Sequence, residues 1–423
     1  MMITINTFLL AFLFILTAGF TLELGLEWTN ARYMKKSAGR IPPALQDRVD
    51  QDQLRKTVDY NLDHTKTAVF YGMFNKIIFL FIILSGILPW LANRIENMHF
   101  IAAGLVFFAF PALIESIVHV PFDYYQIFVI EERYGFNTRN RKVWVADLLK
   151  SLLIGAIIGG LLLGFVLLII RKGGSLWWLW SWLVFLAFQF IMIILYPKII
   201  APFFNKFTPI ENQSLVEKIK DLATPEGIKV EGIFQMDAGK RSRHTNAYFT
   251  GFGKTKRIVL FDTLLASHTD DEIIAVLAHE MGHLKKRHML IQFGGIGLTS
   301  FILFFLVARM LEWIPMYASF GFHGTPAYVG LFLTSILWSP FGIIMAPFFL
   351  KVIRKLEKAA DRYAYTLLKT ANPLVQALKK MVVDNLSNIN PHPLYVIFHY
   401  SHPAILDRIA YLERWDRKEE NED

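Results

Sequence analysis

Hydrophobic positions along this chain gather into seven long runs, not the short alternating or 3.6-spaced patterns of a soluble domain. The runs cover 3–20, 68–90, 100–122, 149–170, 176–196, 290–313 and 328–350. A bilayer core of about 30 Å takes roughly 20 apolar residues in helical form, so each run predicts a membrane span. The first is the shortest. No basic residue precedes it and no small-residue cleavage site follows, so it reads as a span and not as a signal peptide. Two polar pieces remain, 197–289 and 351–423. The predicted class is an α-helical membrane protein of seven transmembrane helices, with an α+β extramembrane domain divided between those pieces.

The first polar piece carries mixed periodicity. Residues 214–223 predict a helix that Pro225-Glu226-Gly227 ends. Residues 230–236, 246–252 and 257–264 predict strands, the last two joined by a hairpin turn at Gly253-Lys254-Thr255-Lys256. Another helix is predicted near Thr269, with Asp270, Asp271 and Glu272 in its first turn and Lys285, Lys286 and Arg287 at its far end. That charge order suits the helix dipole. Within the spans, Gly155/Gly159 and Gly160/Gly164 predict close helix approach, and Trp177, Trp178, Trp180 and Trp182 predict an interfacial aromatic belt. Lys76, Glu115, His119, Lys150 and Arg309 lie in or at the ends of the runs, where ionisable groups face the bundle or a wet cavity. Glu115 and His119 share a helix face; they either hold helices together or line a water-filled chamber.

Charge then gives the sidedness. The chain of 423 residues is 54% hydrophobic and 19% charged, with a net charge of +9. Of its 44 Lys and Arg, 38 lie in alternate extramembrane segments and 3 in the others. The positive-inside rule places both polar pieces in the cytoplasm and the amino terminus outside. Basic residues distributed in this way, with no stacking-rich module, argue against a nucleic-acid partner. With no cysteine, neither a disulfide framework nor a thiolate site can form. Any metal must take His and carboxylate ligands.

Such ligands occur in the run His279-Glu280-Met281-Gly282-His283. Residues four apart on a helix share a face, so both imidazoles can reach one ion while Glu280 projects beside it. Zinc lowers the pKa of bound water towards about 7, and an adjacent carboxylate can take the proton. Glu357 and Asp361, again four apart, follow the seventh run. Glu357 completes a His, His, Glu set with one position open, and Asp361 can orient a ligand imidazole through its other nitrogen. A bare pair of solvated histidines is the bland reading of the first motif. The second motif, on the same side of the membrane, argues against it.

The order Asn246-Ala247-Tyr248-Phe249, HEMGH, then Glu357 with Asp361 resembles the thermolysin-like arrangement of edge strand, zinc helix and glutamate helix. More fully, the chain resembles the type I CaaX prenyl protease family, seven-span zinc endopeptidases that process prenylated proteins such as a-factor and prelamin, with bacterial relatives. The likeness adds Glu131-Glu132-Arg133-Tyr134-Gly135-Phe136-Asn137, and Tyr400-Ser401-His402-Pro403 with Arg408. It implies one Zn2+ on His279, His283 and Glu357, Glu280 as general base, and Asp361 behind a ligand. It further implies that Asn246, Ala247 and His402 bind the scissile peptide, with Arg408 organising the region around His402 and counted among the substrate-binding residues. His244, His288, His392 and His399 read as surface residues. The implied protease domain comprises 197–289 and 351–423, cytoplasmic and thermolysin-like. The membrane part comprises 1–196 with five spans and 290–350 with two. Substrates are peptides or proteins, prenylated at their CaaX ends or, in a bacterium, membrane proteins undergoing quality control. The expected location is the bacterial inner membrane, or the endoplasmic reticulum of a eukaryote.

Two other readings compete. Site-2-type intramembrane metalloproteases carry His-Glu-x-x-His inside a span, whereas this motif is flanked by three acids and three bases. A seven-span transporter or receptor with a structural metal has no need of Glu280.

Overall fold

The computed structural model describes residues 3–251 and 255–419. Seven helices among them are long and apolar enough to cross a membrane: Thr7–Ser37, Gln51–Leu84, Phe100–Tyr134, Arg141–Lys172, Gly174–Phe204, His288–Leu311 and Ala327–Leu368. Each overlaps one predicted run, and they are called spans one to seven in chain order. Several outrun the bilayer. The seventh has 42 residues and, at 1.5 Å per residue, is about 63 Å long, twice the thickness of a hydrocarbon core. Glu357 therefore does not sit on a separate helix after the seventh span but on that span's own continuation. Pro340 and Pro347 lie inside it without ending it, as membrane helices tolerate.

The spans pack around Leu9, Phe12, Ile83, Phe107, Leu167, Tyr317, Val329 and Leu333, all nearly inaccessible. Close approach is real but not where the glycine pairs predicted it. A Cβ at Gly155, Gly159, Gly160 or Gly164 would meet nothing within 4 Å, whereas one at Gly104 would lie 2.5 Å from a Leu167 methyl. Trp178 and Trp182 turn inward on Phe301 at 5.4 and 5.0 Å between ring centres, and Trp182 donates to the Gly297 carbonyl. Trp180 stays exposed, as a belt residue should. Glu115 and His119 are both exposed, and His119 meets the Tyr71 ring edge-on.

A four-stranded sheet stands in the polar part, in the order β1 (Phe207–Pro209), β2 (Lys229–Met236), β4 (Thr255–Phe261), β3 (Ala247–Thr250). β2 and β4 are parallel; β3 pairs antiparallel with β4 and forms an edge. The predicted turn at 253–256 is only partly visible: 252–254 lie outside the described residues, and Lys256 is already in β4. β4 ends before the predicted Leu264. Asp262 Oδ1 accepts the Thr263 and Gly239 N–H groups, both at 2.8 Å, and the chain turns into a short helix, Asp262–Ser267. A side chain that satisfies local amides ends the ladder.

Ile233, Ala247, Ile258 and Leu260 line one sheet face and pack on the helices Gln213–Ala223 and Asp270–Lys285. The latter, called the motif helix, buries a second side through Ala275 and Ala278 against Leu54, Tyr365, Leu378 and Ile409. A helix apolar on nearly all sides is a core helix. It lies outside the spans, and that distinguishes this chain from an intramembrane motif. Arg241 ties the polar part to the fourth span through a two-pronged ion pair with Asp147, at 2.8 and 3.0 Å.

Candidate metal and peptidase site

The motif helix starts at a reciprocal cap. Thr269 Oγ1 accepts from the Glu272 amide while Glu272 Oε2 accepts from the Thr269 amide, a device that stabilises a helix by about 1 kcal/mol. Three turns later the helix meets the seventh span at Gly282. A Cβ there would lie 2.8 Å from Ala360 Cα and 3.0 Å from its carbonyl oxygen, so only glycine permits this separation. The contact sets Glu357 opposite both imidazoles. His279 Nε2 is 3.4 Å from Glu357 Oε2, and His283 Nε2 is 3.4 Å from Oε1. The two Nε2 atoms are 3.2 Å apart.

The opposite ring nitrogens decide what those atoms carry. His279 Nδ1 is 2.7 Å from Asp361 Oδ1, an acceptor, so in the neutral imidazole the proton belongs on Nδ1 and Nε2 presents a lone pair. His283 Nδ1 lies 2.9 Å from His288 Nδ1; with its proton there, His283 Nε2 presents a lone pair as well. Two lone pairs and a carboxylate therefore converge within 4.8 Å. Such a set needs a cation among its members, a proton in the metal-free protein or a metal ion, and it matches the nitrogen and oxygen donors that zinc takes.

Behind the donors stands a buried charge network. Arg408 Nε and Nη2 donate to the two Asp361 oxygens at 2.9 and 2.6 Å, and Tyr411 OH donates to Asp361 Oδ2. Asp361 is fully buried and Arg408 nearly so. Burial disfavours a charged His279, but the hydrogen bonds to Asp361 and Glu357 outweigh it and, in the metal-free protein, push its pKa up to about 9. Burial likewise raises the Glu280 carboxyl, against the pull of His279 and His283. His402 comes from the loop between helices Pro393–His399 and Ile405–Glu419. Its Nε2 is 3.1 Å from Glu357 Oε2 while over half its side chain stays exposed, and Ser401 Oγ is 2.9 Å from its Nδ1.

Profiles of known families match both parts of the chain. One described as CAAX prenyl protease N-terminal, five membrane helices, matches residues 30–206; one described as Peptidase family M48 matches residues 209–416. The chain belongs to peptidase family M48. It is 34% identical to CAAX prenyl protease 1 of Saccharomyces cerevisiae over 93% of both chains. It is 29% identical to the CAAX prenyl protease 1 homolog of Homo sapiens over 90% of both. The crystal structure of S. mikatae Ste24p matches with a TM-score of 0.91 at 31% identity, covering 97% of this chain and all of that one. This M48 chain is a multi-pass membrane endopeptidase of the CAAX prenyl protease type, and it acts on peptide or protein substrates at a bilayer. The transporter and site-2 readings do not hold.

The M48 geometry also corrects the sequence reading of several residues. His288, expected at the surface, is 2% exposed. Arg287 adopts a left-handed conformation (φ 55°) that folds the chain back on itself, so His288 reaches His283. No helical spacing signals that pair. Arg408 spends its guanidinium on Asp361 and not on an open cleft. His399 is exposed, as expected, beside the Tyr395 ring, and His392 is half-buried against Tyr33. Asn246 is exposed just before β3, its carbonyl accepting the Phe261 amide.

His244 is half-buried, stacked on Phe136 at 4.3 Å, with its Nε2 3.3 Å from Glu131 Oε2 and its Nδ1 3.1 Å from Asn385 Oδ1. Asn385 also accepts the Thr245 amide, and Glu131 takes the Tyr60 hydroxyl and His64. The Glu131–Asn137 segment thus clamps the chain leading into β3, a role its sequence did not signal.

Proposed function

We propose that this M48 chain is a zinc metalloendopeptidase with one Zn2+ held by His279, His283 and Glu357. The observation that carries the reading is the convergence of two imidazole Nε2 atoms and a carboxylate, with Asp361 behind His279 and His288 behind His283. A zinc ion there supplies Lewis acidity to water and to the scissile carbonyl. Glu280, beside the ligands on the same helix, takes the proton of the attacking water and delivers it to the leaving amine. His402 donates Nε2–H to the oxyanion as the carbonyl becomes tetrahedral. The exposed edge of β3, entered at Asn246 and Ala247, pairs with an extended peptide and holds it across the site. Arg408 acts through Asp361, which orients His279.

The protease unit of the proposal is 197–289 with 351–423, carried by the membrane helices of 1–196 and 290–350. The basic asymmetry supports a cytoplasmic position for it and an outside amino terminus, in the endoplasmic reticulum of a eukaryote or the inner membrane of a bacterium. Substrates are prenylated CaaX termini, as the names of the yeast and human relatives suggest.

The test is Glu280→Gln in detergent-purified protein, with bound zinc measured beside hydrolysis of a farnesylated CaaX peptide and an unprenylated control. The expected outcome is retained zinc with hydrolysis reduced at least a hundredfold, about the rate effect of a positioned acid–base group. Unchanged hydrolysis would remove Glu280 from the mechanism. Cleavage of the unprenylated peptide alone would remove prenylation from the substrate description.

A further inference from the structure

The sheet face turned away from the motif helix carries Tyr248 and Thr250 opposite Val259 and Arg257. Between this face and the adjoining ends of spans four and five lies a cleft of about 590 Å3. Its lining is strongly basic. Lys198, Lys206 and Lys240 are exposed, and none is in an ion pair among the described residues. Asp237, the single acid of the lining, is already engaged by the Lys206 backbone N–H at 2.6 Å. The other cations are structurally committed: Arg241 to Asp147, Lys150 to the Phe203 carbonyl at 2.8 Å, and Arg257 over the Phe234 ring.

Phe203 also lines the cleft, and it ends an exposed apolar strip on span five. Tyr196, Ile199 and Phe203 are 58%, 52% and 55% exposed and succeed one another at roughly helical spacing on span five. Such a strip is stable against lipid and costly in water. Unpaired ammonium groups in a cleft at the end of a membrane-spanning helix with exposed aromatic side chains suit the headgroup boundary of a bilayer, where basic side chains meet lipid phosphates. A soluble anion would use the lysines but would leave the strip without a partner.

We infer that this cleft binds the phosphate of an anionic phospholipid headgroup, which holds the sheet against spans four and five. The inference is independent of the zinc chemistry, because the cleft lies on the opposite sheet face from the motif helix.

The experiment is native mass spectrometry of the full-length chain titrated with dioleoylphosphatidylglycerol or dioleoylphosphatidylcholine. The variant combines Lys198→Gln, Lys206→Gln and Lys240→Gln. Each lysine near an anionic surface contributes about fivefold, so phosphatidylglycerol affinity should fall about a hundredfold while phosphatidylcholine binding stays unchanged. The matching triple Lys→Arg variant keeps the charge and should bind as the wild type does. Peptidase activity in neutral detergent reports that all variants are folded. Equal affinity for the two lipids, or a Gln variant that binds phosphatidylglycerol like the wild type, would overturn the inference. So would complete displacement of the lipid by millimolar inorganic phosphate, which would mark a soluble-anion site.

Discussion

Gly282 is the position where a single methyl group separates the fold from its chemistry. In Gly282→Ala the new Cβ would lie 2.8 Å from Ala360 Cα, 3.0 Å from its carbonyl oxygen and 3.1 Å from Tyr363 Cβ. Two of these are backbone atoms of the opposing helix, so no rotamer change relieves them. Carbon atoms rest at about 3.6 Å, and the helices must part by about 0.8 Å. Alanine favours the helix over glycine by about 1 kcal/mol, while overpacking a core contact costs about 1–3 kcal/mol. Net stability therefore falls by no more than about 2 kcal/mol, and the protein remains folded. The site is less tolerant. His279 and His283 are on one helix and Glu357 on the other, and a functional constellation needs placement within about 0.5 Å. Metal affinity should fall between about tenfold and a hundredfold, the range seen when support around a ligand is lost, with hydrolysis falling in parallel. Zinc retained against a graded chelator series, read beside a thermal melt, measures both halves. A folded Gly282→Ala protein that holds zinc as tightly as the wild type would refute the claim that this contact sets the ligand geometry.

Two further outcomes follow from the charge networks. Asp361→Asn leaves Arg408 buried without its counter-charge and should destabilise by about 3–5 kcal/mol, read by denaturant unfolding. Adding Arg408→Met should recover most of the stability but not the zinc affinity, because His279 still lacks its carboxylate; recovery of both would deny Asp361 its orienting role. At His244, burial lowers the proton affinity but hydrogen bonds to Glu131 and Asn385 outweigh it, so its folded pKa lies above the ordinary 6.5. A raised folded value stabilises fully below about pH 6.5 and is lost as pH rises through that raised value. Thermal melts between pH 6 and 9 should show this loss in the wild type and a flatter profile in Glu131→Gln; identical profiles would exclude the pair as its source.

Much of this architecture is a property of short stretches of sequence, and those parts were legible. Seven apolar runs gave seven spans because helix length against bilayer thickness is a local matter. The acidic start and basic end of the motif helix, and the four-residue spacing of His279 with His283 and of Glu357 with Asp361, were likewise fixed by helical period. The glycine pairs in span four failed because periodicity tells which residues share a face, not what that face meets. Only the tertiary structure decided contacts between distant segments: Gly282 on Ala360, Arg408 on Asp361, and Glu131 on His244. His288 shows the limit most sharply. It is five residues from His283, a spacing that no regular helix brings together, and it reaches its partner through one left-handed residue, Arg287. The sequence by itself determined which donors this protein has and on which helices they ride. Helix packing determined the distance between those helices and set Asp361 behind His279, so that the His279 Nε2 faces Glu357 and His283.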